Sequence, residues 1–308
     1  MALTLLQIVD QAAAEMGIQA PATVISNTTL YVIQMLNLAN GLGINLSSEH
    51  QWQQQDIEYR FTTVYYQYTA DLSTSSTTIS NMSSTTGLTT TPTYFTVTGD
   101  GIPQDTTLVS VNGGASTAVL SQTPTTAGTA ATLTFAQTQY AFPSGFGRLI
   151  DRTDWSKTQR WEMLGPETAQ QWQWLKSSYI ATGPRIRYRQ LGNTFQIWPP
   201  QADNLYLGFE YMTNFWVIAS GGTTPSKASF TVDTDTCVYP DNLMVAGLKW
   251  RWAVAKQSPT SQLYYQEYTR LLDQAKTADA GSPTLAMAPQ PASVLLTWNN
   301  IPDSNLNV

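Results

Sequence analysis

The stretch VTGDGIPQDTTLVSV, residues 97–111, decides how the rest of this chain is interpreted. Its two segments rich in valine and threonine flank a Gly-Pro turn, a pattern that predicts two short antiparallel strands. It lies in a tract, Thr69 to Thr138, in which 31 of 70 residues are serine or threonine and no lysine, arginine, histidine, cysteine or tryptophan occurs. We therefore interpret residues 69–138 as a small all-β domain, of sandwich or Ig-like type, inserted into a different body.

Four or five short β segments are expected inside this insert. They are centred on residues 77–79, 94–98, 107–111, 118–121 and 132–135. Because β-branched threonine favours extended backbone, the low hydrophobicity of the tract does not prevent strand formation. The aromatic-rich pattern of residues 57–68 resumes at Tyr140. This return indicates that the insert leaves and re-enters the body between two of its strands, since exposed strand connections tolerate inserted domains.

The body consists of residues 1–68 and 139–278, and its N-terminal part is predicted to be helical. Thr4 to Gln7 has the spacing of a capping box and is followed by apolar residues at helical spacing. A second helix is expected to end at Gly41 and Gly43, with a short third helix after it. The N-terminal helices therefore supply one part of a predicted helical bundle.

The middle of the body is predicted to be antiparallel β structure. Apolar residues alternate with polar ones from Ile57 to Tyr65, as in a half-buried strand. Residues 185–198 read as a hairpin, and residues 205–216 as a further strand. One helix is expected here, beginning at Gly165-Pro166-Glu167, because proline is favoured in the first turn of a helix.

Two further helices are predicted on the C-terminal side, one from Pro240 through Val254 and one from Ser261 to Thr277. The surface ion pairs expected within the second of them are Glu267–Arg270 and Asp273–Lys276. The predicted fold class is therefore α+β: a bundle of N- and C-terminal helices packed with an antiparallel β body, plus the inserted all-β domain.

Residues 281–308 are predicted to form an extended C-terminal tail, because they contain four prolines and several asparagines. The tail nevertheless contains the apolar run VLLTW, residues 294–298. An isolated tail would expose this run to water, so we expect Val294, Leu295, Leu296 and Trp298 to contact a partner.

Composition restricts the class of protein. Only 12% of residues are charged, whereas 11% are aromatic, which favours a surface largely covered by other protein chains. A monomer solvated by uncharged polar groups is the alternative. The net charge of −6 argues against a nucleic-acid binder that neutralises phosphates, although not against a pore through which DNA passes. No apolar stretch is long enough to span a membrane.

Residues for catalysis or metal binding are scarce, and we expect neither an enzyme nor a cofactor. His50 is the single histidine and Cys237 the single cysteine, so a zinc site of the usual ligands cannot be assembled. Asp233 to Asp235 begins like a calcium loop but lacks the glycine that the loop requires. Glu162 and Glu167 lie among tryptophans, as in a sugar-cleaving cleft with paired carboxylates. A structural role for both glutamates is the favoured interpretation.

Three arginines, Arg185, Arg187 and Arg189, alternate along one predicted strand and therefore share one face of it. Contact with nucleic acid is one interpretation. Pairing with carboxylates of another subunit is the favoured one, because a dense positive row needs counter-charges and the chain has an acidic surplus.

The succession of these elements resembles the head-to-tail adaptor proteins of short-tailed bacteriophages, also called tail tubular or head-completion proteins. The resemblance covers residues 1–68 and 139–278. It rests on TLLQIVDQAAAEMG, TTLYVIQMLNLANGLG, YAFPSGFGRLIDRTDW, YRQLGNTFQIWPPQADNLYLGFEYMTNFW and FTVDTDTCVYPDNLMVAGLKWRWAVAKQSPTSQLYYQEYTRLLDQA. The insert resembles small β modules of phage tail and fibre proteins and departs from the compact adaptors.

The resemblance implies a structural virion protein, assembled in the host cytoplasm and located at the head–tail interface. Its copies, twelve in the typical case, would form a homo-oligomeric ring beneath the portal protein. The ring would carry the tail nozzle or tail tube protein and continue the DNA channel without sequence-specific DNA binding. The insert would be available for contact with tail fibres. A phage fibre or glycan-binding surface protein is the alternative function, and a tail-associated enzyme is a third.

Overall fold

The computed structural model describes residues 2–89, 95–177 and 185–279. Within these ranges the chain contains five α-helices and several antiparallel sheets, which confirms the α+β class. The helices are α1 (Leu5–Glu15), α2 (Leu30–Glu49), α3 (Ala169–Lys176), α4 (Asp241–Ala255) and α5 (Ser261–Asp279). The strands are β1 (Asp56–Thr62), β2 (Tyr65–Leu72), β3 (Thr78–Ile79), β4 (Phe95–Gly99), β5 (Leu108–Asn112), β6 (Thr117–Leu120), β7 (Gly128–Gln137), β8 (Gln139–Ala141), β9 (Phe146–Leu149), β10 (Trp155–Ser156), β11 (Trp161–Glu162), β12 (Arg187–Leu191), β13 (Thr194–Trp198), β14 (Tyr206–Thr213), β15 (Val217–Ile218), β16 (Pro225–Lys227) and β17 (Thr236–Cys237).

Helix α4 packs against α1, α2 and α5 and so lies at the centre of the helical part. The capping box of α1 is confirmed, because the Gln7 backbone N–H donates to the Thr4 hydroxyl and the Thr4 N–H donates to the Gln7 side chain. Lys249 of α4 is buried, and its ammonium lies 2.6 Å from Glu15 of α1 and 3.1 Å from Glu267 of α5. One lysine therefore links three helices. No described helix is long and apolar enough to cross a lipid bilayer.

The ion pairs predicted within α5 are wrong. Glu267 binds Lys249 rather than Arg270, and Lys276 binds Glu49 of α2 at 2.9 Å rather than Asp273. The reason is that α5 packs along α4 and near the end of α2, so its charged side chains reach neighbouring helices.

Helix α2 does not end at the two glycines as predicted; it continues through them to Glu49 and includes the expected third helix. Gly43 is required for close packing rather than for termination. A Cβ at this position would lie 2.3 Å from ring atoms of Trp216. The Tyr239 hydroxyl also donates to the Gly43 carbonyl at 3.0 Å. The absence of a side chain therefore lets the indole lie against the helix.

The body contains an antiparallel sheet in the order β1-β14-β10-β11, with β9 also paired to β14, and a second sheet in the order β12-β13-β8. Side chains from both sheets form one aromatic cluster, in which the ring centroids of Phe195 and Phe209 are 4.9 Å apart. The predicted alternation is confirmed for β1, because Tyr59 and Phe61 pack against this cluster. Its extension to Tyr65 in one strand is wrong, since β1 ends at Thr62 and β2 begins at Tyr65.

Strands β2 to β7 form two three-stranded antiparallel sheets, β2-β7-β4 and β3-β6-β5. All five segments predicted from the Thr-rich tract are matched by described strands, although Tyr94 lies outside the described residues. The two sheets share a hydrophobic cluster of their own, which includes Val97, Leu108 and Phe135. The Ig-like topology of the insert and its boundaries at residues 69 and 138 stay predictions.

Strands β2 to β7, residues 65–137, are called the β unit below. The chain enters and leaves the β unit at adjacent points. Tyr65 of β2 pairs with Ala136 of β7, and the Gln137 N–H donates to the Val64 carbonyl at 2.8 Å. The Val64 N–H in turn donates to the hydroxyl of Tyr140, which belongs to the aromatic cluster of the body. Hydrogen bonds therefore join the two chain segments that connect the body to the β unit.

The start of α3 also differs from its prediction. The helix begins at Ala169, and Thr168 caps it with a capping box that involves Gln171. Pro166 and Glu167 precede the helix, and Glu167 donates its backbone N–H to the Tyr188 carbonyl. The N-terminus of α3 is therefore set by the Thr168 cap, whereas the prediction placed it at Pro166.

Candidate interaction surface

The arginine row lies on and just before the β12–β13 hairpin. Arg187 Nη1 is 2.6 Å from Glu167 Oε1, and the Glu167 side chain is only 8% exposed. Arg185 is exposed and precedes β12, and Arg189 is partly exposed opposite Gln196. The counter-charge of Arg187 is therefore supplied by the same chain. Partner contact through Arg185, Arg187 and Arg189 stays a prediction.

The geometry of Glu167 bears on the paired-carboxylate alternative. Its carboxylate contacts a guanidinium and is nearly enclosed, so it does not face an open cleft. Glu162 lies in the short strand β11, which pairs with β10. Glu167 is thus held by an ion pair within the chain, and Glu162 lies opposite Trp155 in a strand pair.

Asp154 is the most unusual carboxylate near this hairpin. It is 1% exposed and adjoins Tyr188 of β12. Burial raises the pKa of Asp154 to about 6; the Tyr188 hydroxyl partly offsets this rise, and the charges of Asp151 and Glu162 add to it. The sequence contains no signal for this burial, because a lone Asp before a tryptophan is ordinary in a turn.

The acidic loop Asp233 to Asp235 holds the N-terminal segment in place. Asp233 accepts backbone N–H donations from Val24 and Ile25, at 3.1 and 2.7 Å for Oδ1. Asp235 is buried, and its two oxygens lie 2.9 Å from the Lys227 ammonium. Within the described ranges, no group of three His, Cys, Asp or Glu side chains could hold a metal ion. The loop is therefore a structural anchor.

The pKa of Asp235 follows from this environment. Burial alone would raise it, but the Lys227 ammonium and backbone N–H donations from Thr231 and Val232 outweigh burial and lower it below the ordinary value. The ionised carboxylate is thus the form that stabilises the fold.

Large apolar side chains are exposed on the helical part of the molecule. They include Leu30, Ile33 and Ile44 on α2, Val254 on α4 and Leu263 on α5. Leu30, Ile33 and Ile44 share one face of α2, opposite the buried face that carries Val32, Met35, Ala39 and Leu42. Helical spacing in the sequence could have revealed this second apolar face. Such a face is typical of a surface that contacts protein.

A pocket of about 510 Å³ lies beside Ile44, between α2 and strands β9 and β14. Ser47 and Ser48 of α2 and Arg148 and Met212 of the sheet contribute to its lining. The pocket therefore adjoins the exposed face of α2 at Ile44.

About half of the aromatic residues in the described ranges are buried, which bears on the inference drawn from composition. Phe195, Phe209, Trp172, Trp198 and Trp216 are at most 2% exposed. Many aromatic side chains therefore belong to the cores of this chain, and their abundance does not by itself indicate a covered surface. The exposed aliphatic side chains of α2, α4 and α5 are the better indication.

The apolar run of the C-terminal segment, with Val294, Leu295, Leu296 and Trp298, lies outside the described residues. Its predicted contact with a partner therefore stays a prediction.

A model of the SU10 adaptor protein family matches residues 115–290, more than half of the chain. The match begins within the predicted insert and extends through the β body, α4 and α5. No curated protein matches this sequence. The resemblance to phage head-to-tail adaptors is thereby confirmed. The chain belongs to the SU10 adaptor protein family, and it is a bacteriophage adaptor, a structural component of the virion.

Proposed function

We propose that this adaptor forms a homo-oligomeric ring of twelve copies that links the portal protein to the tail nozzle and continues the DNA channel. Family membership is the observation that carries this proposal. A ring subunit needs two different flanks that pair head to tail with its neighbours. The exposed apolar face of α2, with Leu30 and Ile33, supports such a contact.

The charge of the chain is compatible with a channel. A net charge of −6 would repel the phosphates of passing DNA, and weak attraction lets DNA slide through rather than stay bound. DNA would therefore be a transient occupant, without sequence-specific contacts.

We assign the proposed partner contacts from the chemistry of the side chains. Val294, Leu295, Leu296 and Trp298 would insert into a neighbouring copy or the portal during head completion. Arg185 and Arg189 would meet carboxylates of a partner protein, because these side chains are at least partly exposed. The β unit would lie on the outside, where it could meet tail fibres.

A glycan-binding surface protein is the second candidate function. Trp161 and Trp174 are 41% and 51% exposed, as stacking platforms for sugars would be. Binding to a glycan array by the purified protein would favour this alternative, and a structural adaptor should show none.

Light scattering on the purified protein, alone and with portal protein, tests the proposal. We expect a ring-sized species, formed alone or on the portal, whose mass is a multiple of the 33.9 kDa chain. A monomer that is independent of concentration and unaffected by portal would contradict it. Truncation after Gly281 tests the tail contact separately: the shortened protein should fold and fail to join heads, whereas normal joining would refute that contact.

A further inference from the structure

Arg251 of α4 is a half-buried cation without a carboxylate partner among the described residues. Its guanidinium lies across Gly41 of α2 and contacts the neutral amide of Asn45. Burial lowers the pKa of Arg251 below its usual range, since water is partly excluded from it. Glu49 lines the same pocket, but it pairs with Lys276. Asp273 also lines this pocket but forms no ion pair with Arg251, so within the described ranges the guanidinium has no carboxylate within 4 Å.

Two adjoining pockets meet at Arg251. The first, about 320 Å³, lies between α2, α4 and α5 and is lined by aromatic and polar side chains that include Tyr265 and Tyr268. The second, about 290 Å³, is apolar and is lined by Leu38, Trp250, Val254 and Ala255 together with Arg251. A ligand that fits both needs aliphatic or aromatic side chains beside a carboxylate.

The C-terminal segment of this chain has that chemistry. Residues 280–308 contain no lysine, arginine or histidine, and Asp303 is their one acidic side chain. The apolar run at residues 294–298 precedes Asp303 by five positions. An extended strand of that length spans about 16 Å, which is enough to join two adjacent pockets.

The segment also starts beside the first pocket. Helix α5 ends at Asp279, whose carboxylate accepts a hydrogen bond from the Gln53 N–H and pairs with His50. Lys276, one turn before this end, lines the first pocket. Fourteen residues, 280–293, separate this end from the apolar run, and a random-coil chain of that length has a root-mean-square span of roughly 20 Å. Linkers of this length give effective concentrations in the millimolar range, so docking within the chain is favoured over docking between chains.

We propose that, in the unassembled subunit, residues 294–303 dock on the paired pockets of their own chain, with the apolar run against Leu38 and Val254 and the Asp303 carboxylate on Arg251. This inference goes beyond the proposed ring. The two pockets together form a groove that shields the apolar run from water. During assembly the run would leave this groove and bind a neighbouring copy or the portal.

Disulfide trapping in the full-length chain tests the docking. Val254→Cys and Leu296→Cys would be combined, because Val254 is 52% exposed, while the native Cys237 is buried. The matched control combines Leu296→Cys with Val109→Cys, an exposed position in the β unit. We expect the first pair to close an intramolecular disulfide about tenfold faster than the control, as docking raises the effective concentration.

Charge exchange provides the second measurement. Arg251→Asp or Asp303→Arg alone should slow closure about fivefold, and the two together should restore it, because the charge-assisted pair is re-formed with reversed polarity. Equal rates for the two cysteine pairs, or failure of the double exchange to rescue, would overturn the proposal. A predominantly interchain disulfide would also overturn it, because it would assign the groove to a second copy. All rates are measured on unassembled protein, so loss of docking is distinguishable from loss of ring formation.

Discussion

Gly43 of α2 lies directly against the indole of Trp216, and a Cβ on that glycine would approach the ring atoms to 2.3 Å. Trp216 is fully buried and also lies 4.9 Å from the Phe230 ring, centroid to centroid. Gly43 therefore sets the distance between helix α2 and the segment that follows strand β14.

Gly43→Ala should destabilise the protein. The methyl group would approach Trp216 ring atoms to 2.3 Å, so we expect a cost in the upper part of the about 1–3 kcal/mol typical of overpacking, more than the roughly 1 kcal/mol that alanine gains in helix propensity. Chemical denaturation monitored by circular dichroism measures the difference.

Gly41→Ala is the matched control, because the nearest atom to an added Cβ is a nitrogen at the end of the long Arg251 side chain, at 2.9 Å, rather than a buried ring. We expect Gly41→Ala to be neutral or stabilising. Equal destabilisation by both variants would show that the helix, and not the Trp216 contact, requires glycine.

Asp154→Asn should change how stability depends on pH. The pKa of Asp154 in the folded state is about 6, above its unfolded value of 3.8, so its contribution is fully present below pH 4 and is lost as the pH rises through 6. Two pKa units correspond to roughly 3 kcal/mol, and this loss should be absent in the asparagine variant. The gain of Asp154→Asn over wild type should therefore be greater at pH 8 than at pH 4.

Asp100→Asn, at an exposed position in the β unit, is the control. Parallel pH profiles for wild type and Asp154→Asn would mean that Asp154 does not titrate in this range.

Glu167→Gln should destabilise the hairpin region, because it leaves Arg187 without its counter-charge. The Arg187 side chain is 31% exposed, so we expect about 1–2 kcal/mol, less than for a fully buried pair. A double-mutant cycle with Arg187→Gln gives the coupling energy.

Arg185→Gln, at the exposed end of the row, should leave the free energy of unfolding within about 0.5 kcal/mol of wild type. Its expected effect is weaker assembly with a partner protein. A coupling energy near zero between Glu167 and Arg187 would show that the pair is incidental.

Replacement of residues 66–135 by a short Gly-Ser bridge should leave the body folded. Tyr65 pairs with Ala136, so the two cut ends are neighbours, and strands β2 to β7 have their own hydrophobic cluster. Helical circular dichroism and the thermal midpoint of the shortened protein measure the outcome. Collapse of the body would show that the β unit is an integral part of it.

Local patterns were sufficient to predict much of this fold. The Thr4 capping box, the segments of the β unit and the β12–β13 hairpin depend on neighbours in sequence, and each was identified with errors of a few residues. Gly43 was misread as a helix end, because its role depends on Trp216, which is distant in the sequence. Predictions of this kind fail where tertiary packing decides the local choice.

The candidate surface was predicted less well for the same reason. Sequence spacing placed Arg187 on a strand face but could not reveal that Glu167, twenty positions earlier, neutralises it. The abundance of aromatic residues suggested a covered exterior, whereas the structure places Phe195, Phe209 and other rings in the core. That Arg251 has no ion-pair partner among the described residues is visible only once α2, α4 and α5 are packed together.

The location of this chain in the phage particle distinguishes a connector between portal and nozzle from a fibre protein. Virions labelled with an antibody to this chain and imaged by negative stain should carry the label as a ring at the junction of head and tail. Label on the fibres, or virions without label, would contradict the assignment of this chain as the connector between portal and nozzle.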